Sequence, residues 1–544
     1  MSFTDYIFLP FLFAICIVYY TVPLKVRWFV LLCGSVLFYF SWGIELFPCV
    51  FITTFICYFS AKRMEGQVNA VGEKAYRDKC KKRAKFILWL TIIVTTSMLI
   101  YVKGQHQFVN IPKIRAGVRI MSNLYQRVVH WCNRIPLSRP FVRDKATIDV
   151  FSGNSFFVPL GISYYTLSMI GYLADVYWKK EKAERNVLKL FLFALYFPKI
   201  VEGPISKHRF SAEQLNTGHE FDYKLFCFGL QRMAWGYFKK LAIADRISVF
   251  VNNVYGNYET KGGAILLTAT IFGAVQLYCD FSGCMDIALG ASEMFGIKLE
   301  ENFNHPFFSR TAAEFWRRWH ITLGTWYKDY IYLPLASSKF LIKQAGFIKK
   351  HAGKSFSKAF SVIIPLYSVW ILTGMWHATG LNYLVWGLYW GTIIVISTLG
   401  KKQLAALPGK LKINVNSAVY KRFQIIRTFM IFIGARIITI PTKLLVSLTV
   451  FKRICTGFAI WQIFDGTLFY QGLSLTEFVL SLILIIALYK VSKAQENGTV
   501  IREKIAGYPI TLRWCVYILE VLAVLILGVY GPGYDAGSFI YMRY

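Results

Sequence analysis

The most constraining feature of this sequence is a stretch between Lys358 and Lys401 that contains no Lys, Arg, Asp or Glu. Two apolar runs, residues 361–373 and 381–399, lie within it, so the whole stretch can lie at membrane depth. Its one strongly titratable side chain is His377, set among Met, Trp, Leu and Gly residues. An ionisable side chain at that depth indicates function by default, because burying it in lipid is costly. The alternative is a neutral imidazole that only bonds a neighbouring carbonyl.

The composition indicates a polytopic membrane protein. The chain has 544 residues and is 56% hydrophobic, and many apolar runs approach the roughly 20 residues that span a bilayer. We predict an all-α fold with about eleven to thirteen spans or half-spans. The sequence shows no tandem repeat, long linker or low-complexity tract, so we predict that residues 1–544 form a single membrane-embedded domain.

The charge balance is strongly basic, with a net charge of +33 from 62 basic and 29 acidic residues. The basic residues lie mostly between apolar runs, where they set orientation and meet anionic headgroups. We therefore predict membrane lipids, and not nucleic acid, as partners. Segment 62–85 carries nine basic and three acidic residues, which predicts a cytoplasmic loop and an N-terminus outside. Residues 339–358 and 401–421 are predicted to be further basic loops.

Segment 103–150 is basic, yet the span count places it outside. Its apolar residues recur at three- and four-residue steps and its arginines mostly fill other positions, which is typical of an amphipathic helix in the headgroup layer. We predict a basic amphipathic surface insertion; a partner-covered or soluble helix is the alternative.

Two segments are too charged to face lipid. Residues 314–335 read EFWRRWHITLGTWYKDYIYLPL and must line a cavity, re-enter the membrane within protein, or lie at its face. Residues 221–255 are predicted to form two half-spans bent around charges. No Cys pair has metal-ligand spacing, so we predict neither a metal site nor a disulfide framework.

Three motifs resemble one known family. The strings NFNHPFFSRTAAEFWRRWHITLGTWYKDYIYLPL and GMWHATGLNYLVWGLYWG resemble the two histidine motifs of the membrane-bound O-acyltransferase (MBOAT) family. LYCDFSGCMDIALG resembles a segment of its bacterial branch, the alginate O-acetyltransferase-like and D-alanyl lipoteichoic-acid transfer proteins. The resemblance runs from about residue 6 to residue 440. It implies a bundle of about 11 transmembrane helices with re-entrant helices in a bacterial plasma membrane. In this family the bundle encloses a central tunnel that joins a cytoplasmic donor site to an outward acceptor site.

The resemblance matches His377 to the family's catalytic histidine and His320 to its second one. A neutral imidazole can accept the proton of an attacking alcohol, so we predict His377 to be a general base. Two interpretations stay open for His320: it orients substrate, relays a proton or donates to the oxyanion, or it is structural. No GxSxG elbow occurs, so a covalent acyl-enzyme is not favoured.

Further residues are candidates for the substrate site or the tunnel wall. Two adjacent arginines suit the phosphates of an acyl-CoA or phosphopantetheine donor, but pairing with Glu314 or Asp329 would explain them equally well. The Asp280 carboxylate is expected to satisfy buried partners rather than to do chemistry. The full candidate set is Asp280, Ser282, Arg317, Arg318, Trp319, Trp376 and Asn382.

Two positions depart from the family pattern. Ala378 stands where Gly usually follows the catalytic histidine, and Trp390 stands where a later His is usual. Both departures are expected to alter the lining of the pocket slightly.

The predicted function is O-acyl transfer from a cytoplasmic thioester, acetyl-CoA or a phosphopantetheinyl carrier, with no permanently bound cofactor. The predicted acceptor is an exported surface polysaccharide or an extracellular SGNH-type acyltransferase partner. D-alanyl transfer from a carrier protein towards lipoteichoic acid is the nearest alternative. A glycan or lipid transporter and an envelope scaffold are remote alternatives, and both would leave His377 without a role in surface modification.

Overall fold

The computed structural model describes residues 1–108 and 159–530. The all-α prediction is confirmed: these residues form helices and no β-strand, only an isolated antiparallel bridge between Phe303 and Trp319. Six of the described helices are long and apolar enough to cross a membrane. They are Lys74–Tyr101, Gly263–Glu293, Lys339–His377, Leu381–Leu399, Leu475–Glu496 and Ile510–Leu527. The predicted count of about eleven spans and the tunnel stay predictions.

The chain divides into two compact units, Met1–Leu230 with Ala288–Glu300, and Gln231–Ile287 with Glu301–Tyr544. This division does not test the single-domain prediction, which stays a prediction. The first six residues of the predicted 103–150 insertion continue a long helix, and the rest lies outside the described residues.

The first unit packs its helices around aromatic side chains. Phe38 contacts both Phe8 and Phe197, with ring centroids 6.1 and 5.9 Å away. The Ser35 hydroxyl accepts a hydrogen bond from the Phe197 N–H at 3.1 Å, which ties a short helix to a longer one. The helices are α1 (Phe8–Thr21), α2 (Arg27–Phe40), α3 (Phe47–Val68), α4 (Lys74–Phe108), α5 (Ile162–Tyr177), α6 (Val187–Leu195), α7 (Phe197–Ile200), α8 (His208–Asn216) and α9 (Tyr223–Tyr237), whose last residues belong to the second unit.

The second unit contains the two histidine motifs. Its described helices are α10 (Asp245–Gly256), α11 (Gly263–Glu293, whose last residues belong to the first unit), α12 (Ala312–Arg318), α13 (Ile321–Tyr327), α14 (Leu333–Ala336), α15 (Lys339–His377), α16 (Leu381–Leu399), α17 (Lys401–Lys410), α18 (Ala418–Thr439), α19 (Leu444–Thr456), α20 (Leu475–Glu496), α21 (Ile501–Ala506) and α22 (Ile510–Leu527). Two π-helical segments, Phe238–Ala244 and Lys328–Tyr332, extend α9 and α13. Short 3₁₀ turns are Leu24–Val26, Ile44–Leu46, Tyr258–Thr260, Pro306–Phe308, Ile460–Ile463 and Thr467–Tyr470.

Two sequence-based expectations about local structure were wrong, and a third was not tested. The basic segment 339–358 is not a loop but the first part of α15, which is capped by Ser338 and kinked at Gly353. Segment 401–421 begins with α17, because Lys, Gln, Ala and Leu are good helix formers whatever their charge. In the charged segment 221–255 the first π-helical segment joins α9 to α10, and the assignment of two half-spans bent around charges stays a prediction.

The hairpin of α15 and α16 is the element that positions His377. A methyl group on Gly374 would stand 2.3 Å from the Tyr383 carbonyl oxygen, and one on Gly387 would stand 2.5 Å from the Trp370 carbonyl oxygen. The two backbones therefore approach more closely than any larger residue would allow. The short connection of residues 378–380 holds His377 at the tip of this tightly packed pair.

Candidate active site

His377 ends α15 in a small aromatic cavity. The side chain is buried, and its ring centroid lies 4.9 Å from Trp376, 6.1 Å from Tyr383 and 5.3 Å from Trp386. The cavity has a volume of about 30 Å³, which is room for one water-sized group. Its lining residues are Leu277, Trp316, Trp319, His377, Tyr383, Trp386, Phe432, Arg436 and Thr439.

Arg436 is the one permanently charged residue in this lining. It is 7% exposed, and its guanidinium donates to the Thr439 hydroxyl at 2.9 Å and to the Gly273 carbonyl at 3.4 Å. The sequence analysis missed it, although an arginine inside the apolar run 423–440 is the same signal that drew attention to His377. Its charge suits a position where negative charge develops during a reaction.

His320 lies at the start of α13 with a left-handed backbone, φ 48° and ψ 52°. Its Nδ1 lies 3.1 Å from the Asn302 Oδ1 atom, which also accepts hydrogen bonds from the Thr322 N–H and hydroxyl. Because that oxygen only accepts, Nδ1 donates, and the lone pair of the neutral ring lies on Nε2. Burial lowers the pKa of His320 to about 3, so the ring is neutral at physiological pH.

One indole ring links the two histidines. The Trp376 ring centroid lies 4.9 Å from His377 and 6.0 Å from His320. The structure therefore brings together two residues that are far apart in sequence, and it places the predicted tunnel residue Trp376 between them.

A large cavity of about 630 Å³ lies on the other side of the His320 segment. Ile321 lines this large cavity, whereas Trp319 lines the small one, so His320 stands between their walls. Three basic and three acidic side chains line the large cavity, so its charges balance. They are Arg232, Lys239, Arg502, Asp286, Glu301 and Glu520. Arg232 and Lys239 lie in the charged segment 221–255 and Asp286 lies in the motif LYCDFSGCMDIALG, whereas the other three lie outside the segments singled out in the sequence analysis.

Two consecutive lysines in the first π-helical segment reach different carboxylates. Lys240 Nζ lies 2.6 Å from Asp280 and 2.9 Å from Asp245, and Asp280 lines neither cavity. Lys239 Nζ lies 2.6 Å from Asp286 and donates to the Ser282 hydroxyl at 2.9 Å. Asp280 is thus an ion-pair partner, as expected from the sequence, whereas Ser282 faces the large cavity.

The two adjacent arginines of α12, Arg317 and Arg318, have different surroundings. Arg317 is exposed, and Arg318 pairs with Glu314 at 2.8 Å and with Glu496 at 2.7 Å. Neither arginine lines a cavity described here, so the interpretation as an ion pair with Glu314 fits Arg318 and the phosphate role has no geometric support.

The two remaining tunnel candidates, Trp319 and Asn382, are both buried, but only one of them lines a cavity. Trp319 is buried and lines the small cavity. Asn382 is buried too, but its Nδ2 donates to the Pro441 carbonyl at 3.0 Å, and it lines neither cavity.

Both departures from the family motif are accommodated. Ala378 has φ −159° and ψ 165°, an extended conformation that does not require glycine. Trp390 is fully buried, lies parallel to Phe315 at 5.9 Å and packs edge-on against Trp316 at 5.0 Å. Trp390 therefore supports the aromatic wall of the small cavity from behind.

Within residues 1–108 and 159–530 no group of three His, Cys, Asp or Glu side chains could hold a metal ion, and the predicted lack of a metal site stays a prediction.

Comparison with known proteins supports the sequence motifs. The family model of MBOAT, the membrane-bound O-acyltransferase family, matches residues 178–439. The probable alginate O-acetylase AlgI of Azotobacter vinelandii is 28% identical over 72% of this chain and 66% of its own length. The peptidoglycan O-acetyltransferase of Helicobacter pylori is 29% identical over 44% of this chain and 47% of its own length. The teichoic acid D-alanyltransferase of Bacillus subtilis is 30% identical over 42% of this chain and 56% of its own length. The chain thus aligns with less than two thirds of each of these relatives.

Proposed function

Because the chain belongs to the membrane-bound O-acyltransferase family, we propose that it transfers an acetyl group from a thioester donor to a hydroxyl group of an exported cell-surface polysaccharide, either directly or through an extracellular partner protein. The observation that carries this proposal is the position of His377. It is a buried imidazole that shares a cavity of about 30 Å³ with a single cation, Arg436, and it lies at the tip of the hairpin within residues 359–400, which contain no Lys, Arg, Asp or Glu. The multi-pass chain lies in a bacterial plasma membrane with its N-terminus outside.

The residues of the small cavity divide the chemistry between them. The neutral His377 ring takes the proton of the acceptor hydroxyl as its oxygen attacks the thioester carbonyl carbon. The carbonyl oxygen gains negative charge, which the Arg436 guanidinium stabilises. The carbon–sulfur bond then breaks, the proton passes to the leaving thiolate, and the products are an ester and a thiol. A general base of this kind contributes about 10²–10⁴-fold to the rate.

His320 is assigned a helping role through its Nε2 atom. The Asn302 hydrogen bond fixes its tautomer and its burial keeps the ring neutral, so Nε2 is a proton acceptor near Trp376. Loss of this ring is expected to reduce turnover without abolishing it.

The large cavity is proposed to hold the arm of the donor. Its balanced charges suit the amides and hydroxyls of a pantetheine chain better than a cluster of phosphates. Arg502 lies in a basic stretch after α20, and by the positive-inside bias such stretches face the cytoplasm. Donor entry from that face fits acetyl-CoA or a phosphopantetheinyl carrier, and neither is a resident cofactor.

D-alanyl transfer is the second candidate. The Glu520 carboxylate in the lining of the large cavity would attract the ammonium group of a D-alanyl thioester, and one relative carries D-alanyltransferase in its name. The acceptor would then be teichoic acid rather than an acetylated polysaccharide.

The test is donor turnover by the full-length protein in nanodiscs. Acetyl-CoA is supplied, and thiol release is followed for wild type, His377→Ala and His320→Ala. We expect turnover to be lost in His377→Ala and partly reduced in His320→Ala. His351→Ala is the control, because His351 is an exposed histidine in the part of α15 before the kink at Gly353, where its Nδ1 lies 2.9 Å from the Phe347 carbonyl oxygen.

Turnover in His377→Ala equal to that of wild type would refute the base assignment. If wild type releases no thiol from acetyl-CoA, acetylated and D-alanylated carrier proteins are supplied next. Turnover of the D-alanylated carrier alone would favour the second candidate, and failure of every donor would refute acyl transfer by the isolated chain.

A further inference from the structure

An apolar groove of about 410 Å³ opens beside the large cavity, between α18, α20 and the turn that begins at His305. Aliphatic and aromatic side chains form its walls, namely Ile425, Ile426, Phe429, Ile485 and Leu488. Ile426 is 59% exposed and Tyr489 is 51% exposed, so the groove is open along one side. The Tyr489 ring stacks on Phe308 at 5.6 Å and forms part of the rim.

The charge of the groove is concentrated at one end. Arg422 is the only charged residue that lines it, and Arg422 makes no ion pair within the part of the chain that the structure describes. No Asp or Glu occurs in the sequence between Asp329 and Asp465, so no acidic residue of that long stretch competes for this guanidinium. An exposed cation in such a stretch favours an anionic partner.

The apolar walls lead away from that cation. Phe429 lies seven residues beyond Arg422 on α18, which is about 10 Å along the helix axis. On α20 the groove residues run from Ile485 to Ser492, and the last turns of that helix carry Lys490, Lys493 and Glu496. A cation at the mouth and a hydrocarbon lining beyond it match a phosphate headgroup and an acyl chain.

The groove and the large cavity share four lining residues, Tyr278, His305, Leu488 and Ser492. We propose that the groove binds one acyl chain of an anionic glycerophospholipid, with Arg422 on the lipid phosphate, so that the lipid forms a side wall of the large cavity. This lipid is neither donor nor acceptor, and the proposal does not depend on the proposed function.

The test is native mass spectrometry of the full-length protein in detergent micelles. Phosphatidylglycerol or phosphatidylcholine with the same acyl chains is added, and the fraction of protein that retains the lipid is measured. Wild type is expected to retain phosphatidylglycerol several-fold better than phosphatidylcholine. Arg422→Gln is expected to lower phosphatidylglycerol retention about three- to tenfold, because a charge-assisted hydrogen bond is lost. Ile426→Trp fills the groove and is expected to lower retention of both lipids.

Lys402→Gln is the matched control, because Lys402 is an exposed cation of the same acid-free stretch that does not line the groove. Its phosphatidylglycerol retention is expected to equal that of wild type. Equal losses in Arg422→Gln and Lys402→Gln would overturn the proposal, because they would show diffuse surface attraction. Unchanged retention in both groove variants, or no retention by wild type, would overturn it too. In the last case another part of the chain closes the groove.

Discussion

Substitution of Gly374 by alanine tests whether close packing of the hairpin sets the position of the proposed base. The new methyl group would lie 2.3 Å from the Tyr383 carbonyl oxygen, whereas ordinary contact begins at 3.4 Å. Because the obstacle is backbone, no side chain can swing away, and α15 and α16 must separate locally by about 1.1 Å, the difference between these two distances. His377 lies one turn beyond Gly374 and must move with the helix.

The size of the effect follows from the size of the cavity. In a space of about 30 Å³, a shift near 1 Å is comparable with the whole clearance around the ring. Misplacement by ~1 Å costs on the order of 100-fold in rate, so we expect Gly374→Ala to lower turnover by about that factor. Overpacking is expected to cost about 1–3 kcal/mol in stability.

The assay pairs thiol release with the thermal unfolding midpoint in nanodiscs. Gly346→Ala is the control, because Gly346 lies in the part of α15 before the kink at Gly353 and a methyl group there would meet nothing within 4 Å. It is expected to keep wild-type turnover and to gain about 0.5–1 kcal/mol of helix stability. Wild-type turnover together with an unchanged midpoint in Gly374→Ala would refute the inference that the hairpin contact positions His377.

Three further predictions concern the buried His320 ring, the Lys240–Asp280 ion pair and the extended backbone at Ala378. Burial lowers the pKa of His320 to about 3, whereas the usual histidine pKa is near 6.5. Between pH 3 and pH 6.5, approximately, His320 is therefore protonated in the unfolded chain but neutral in the folded chain. Stability is therefore expected to fall as pH falls through this window, by up to about 1.4 kcal/mol per pH unit from this group, and His320→Gln should flatten the slope of the unfolding midpoint. Lys240→Met is expected to lower the free energy of unfolding by about 3–5 kcal/mol, because it leaves the Asp280 charge buried without its cation. Arg318→Gln, at a half-buried ion pair, is expected to lower it by less than about 1 kcal/mol. Equal thermal unfolding midpoints for the two variants would contradict this prediction. Ala378→Gly is expected to leave thiol release within about twofold, because the extended backbone does not need glycine, and a large gain in rate would show the opposite.

The sequence analysis identified the hairpin and both histidines because each carries a local signal. An uncharged stretch of this length predicts two apolar helices, and a lone titratable group within it stands out. The side chains that surround the two histidines could not be predicted from the sequence, because they depend on how distant segments pack together. Trp376 adjoins His377 in the chain, but its approach to His320 depends on how α13 meets the hairpin.

The ion pairs were less predictable, for a geometric reason. In a regular helix Lys239 and Lys240 would point about 100° apart, and the π-helical segment changes which carboxylates they reach. Sequence gave no sign of that segment. Asn302 was visible in its motif but received no role, because its function is to accept three hydrogen bonds that only the folded loop creates.

The small volume around His377 has a consequence for motion. An acetyl thioester and a sugar hydroxyl together need several times the space of the one water-sized group that the cavity of about 30 Å³ admits. If the proposed function is correct, the side chains that line this cavity must therefore move apart to admit both substrates. The Trp386 ring centroid lies 5.3 Å from His377 and 6.5 Å from Tyr383, so such an opening would also change the packing around the proposed base.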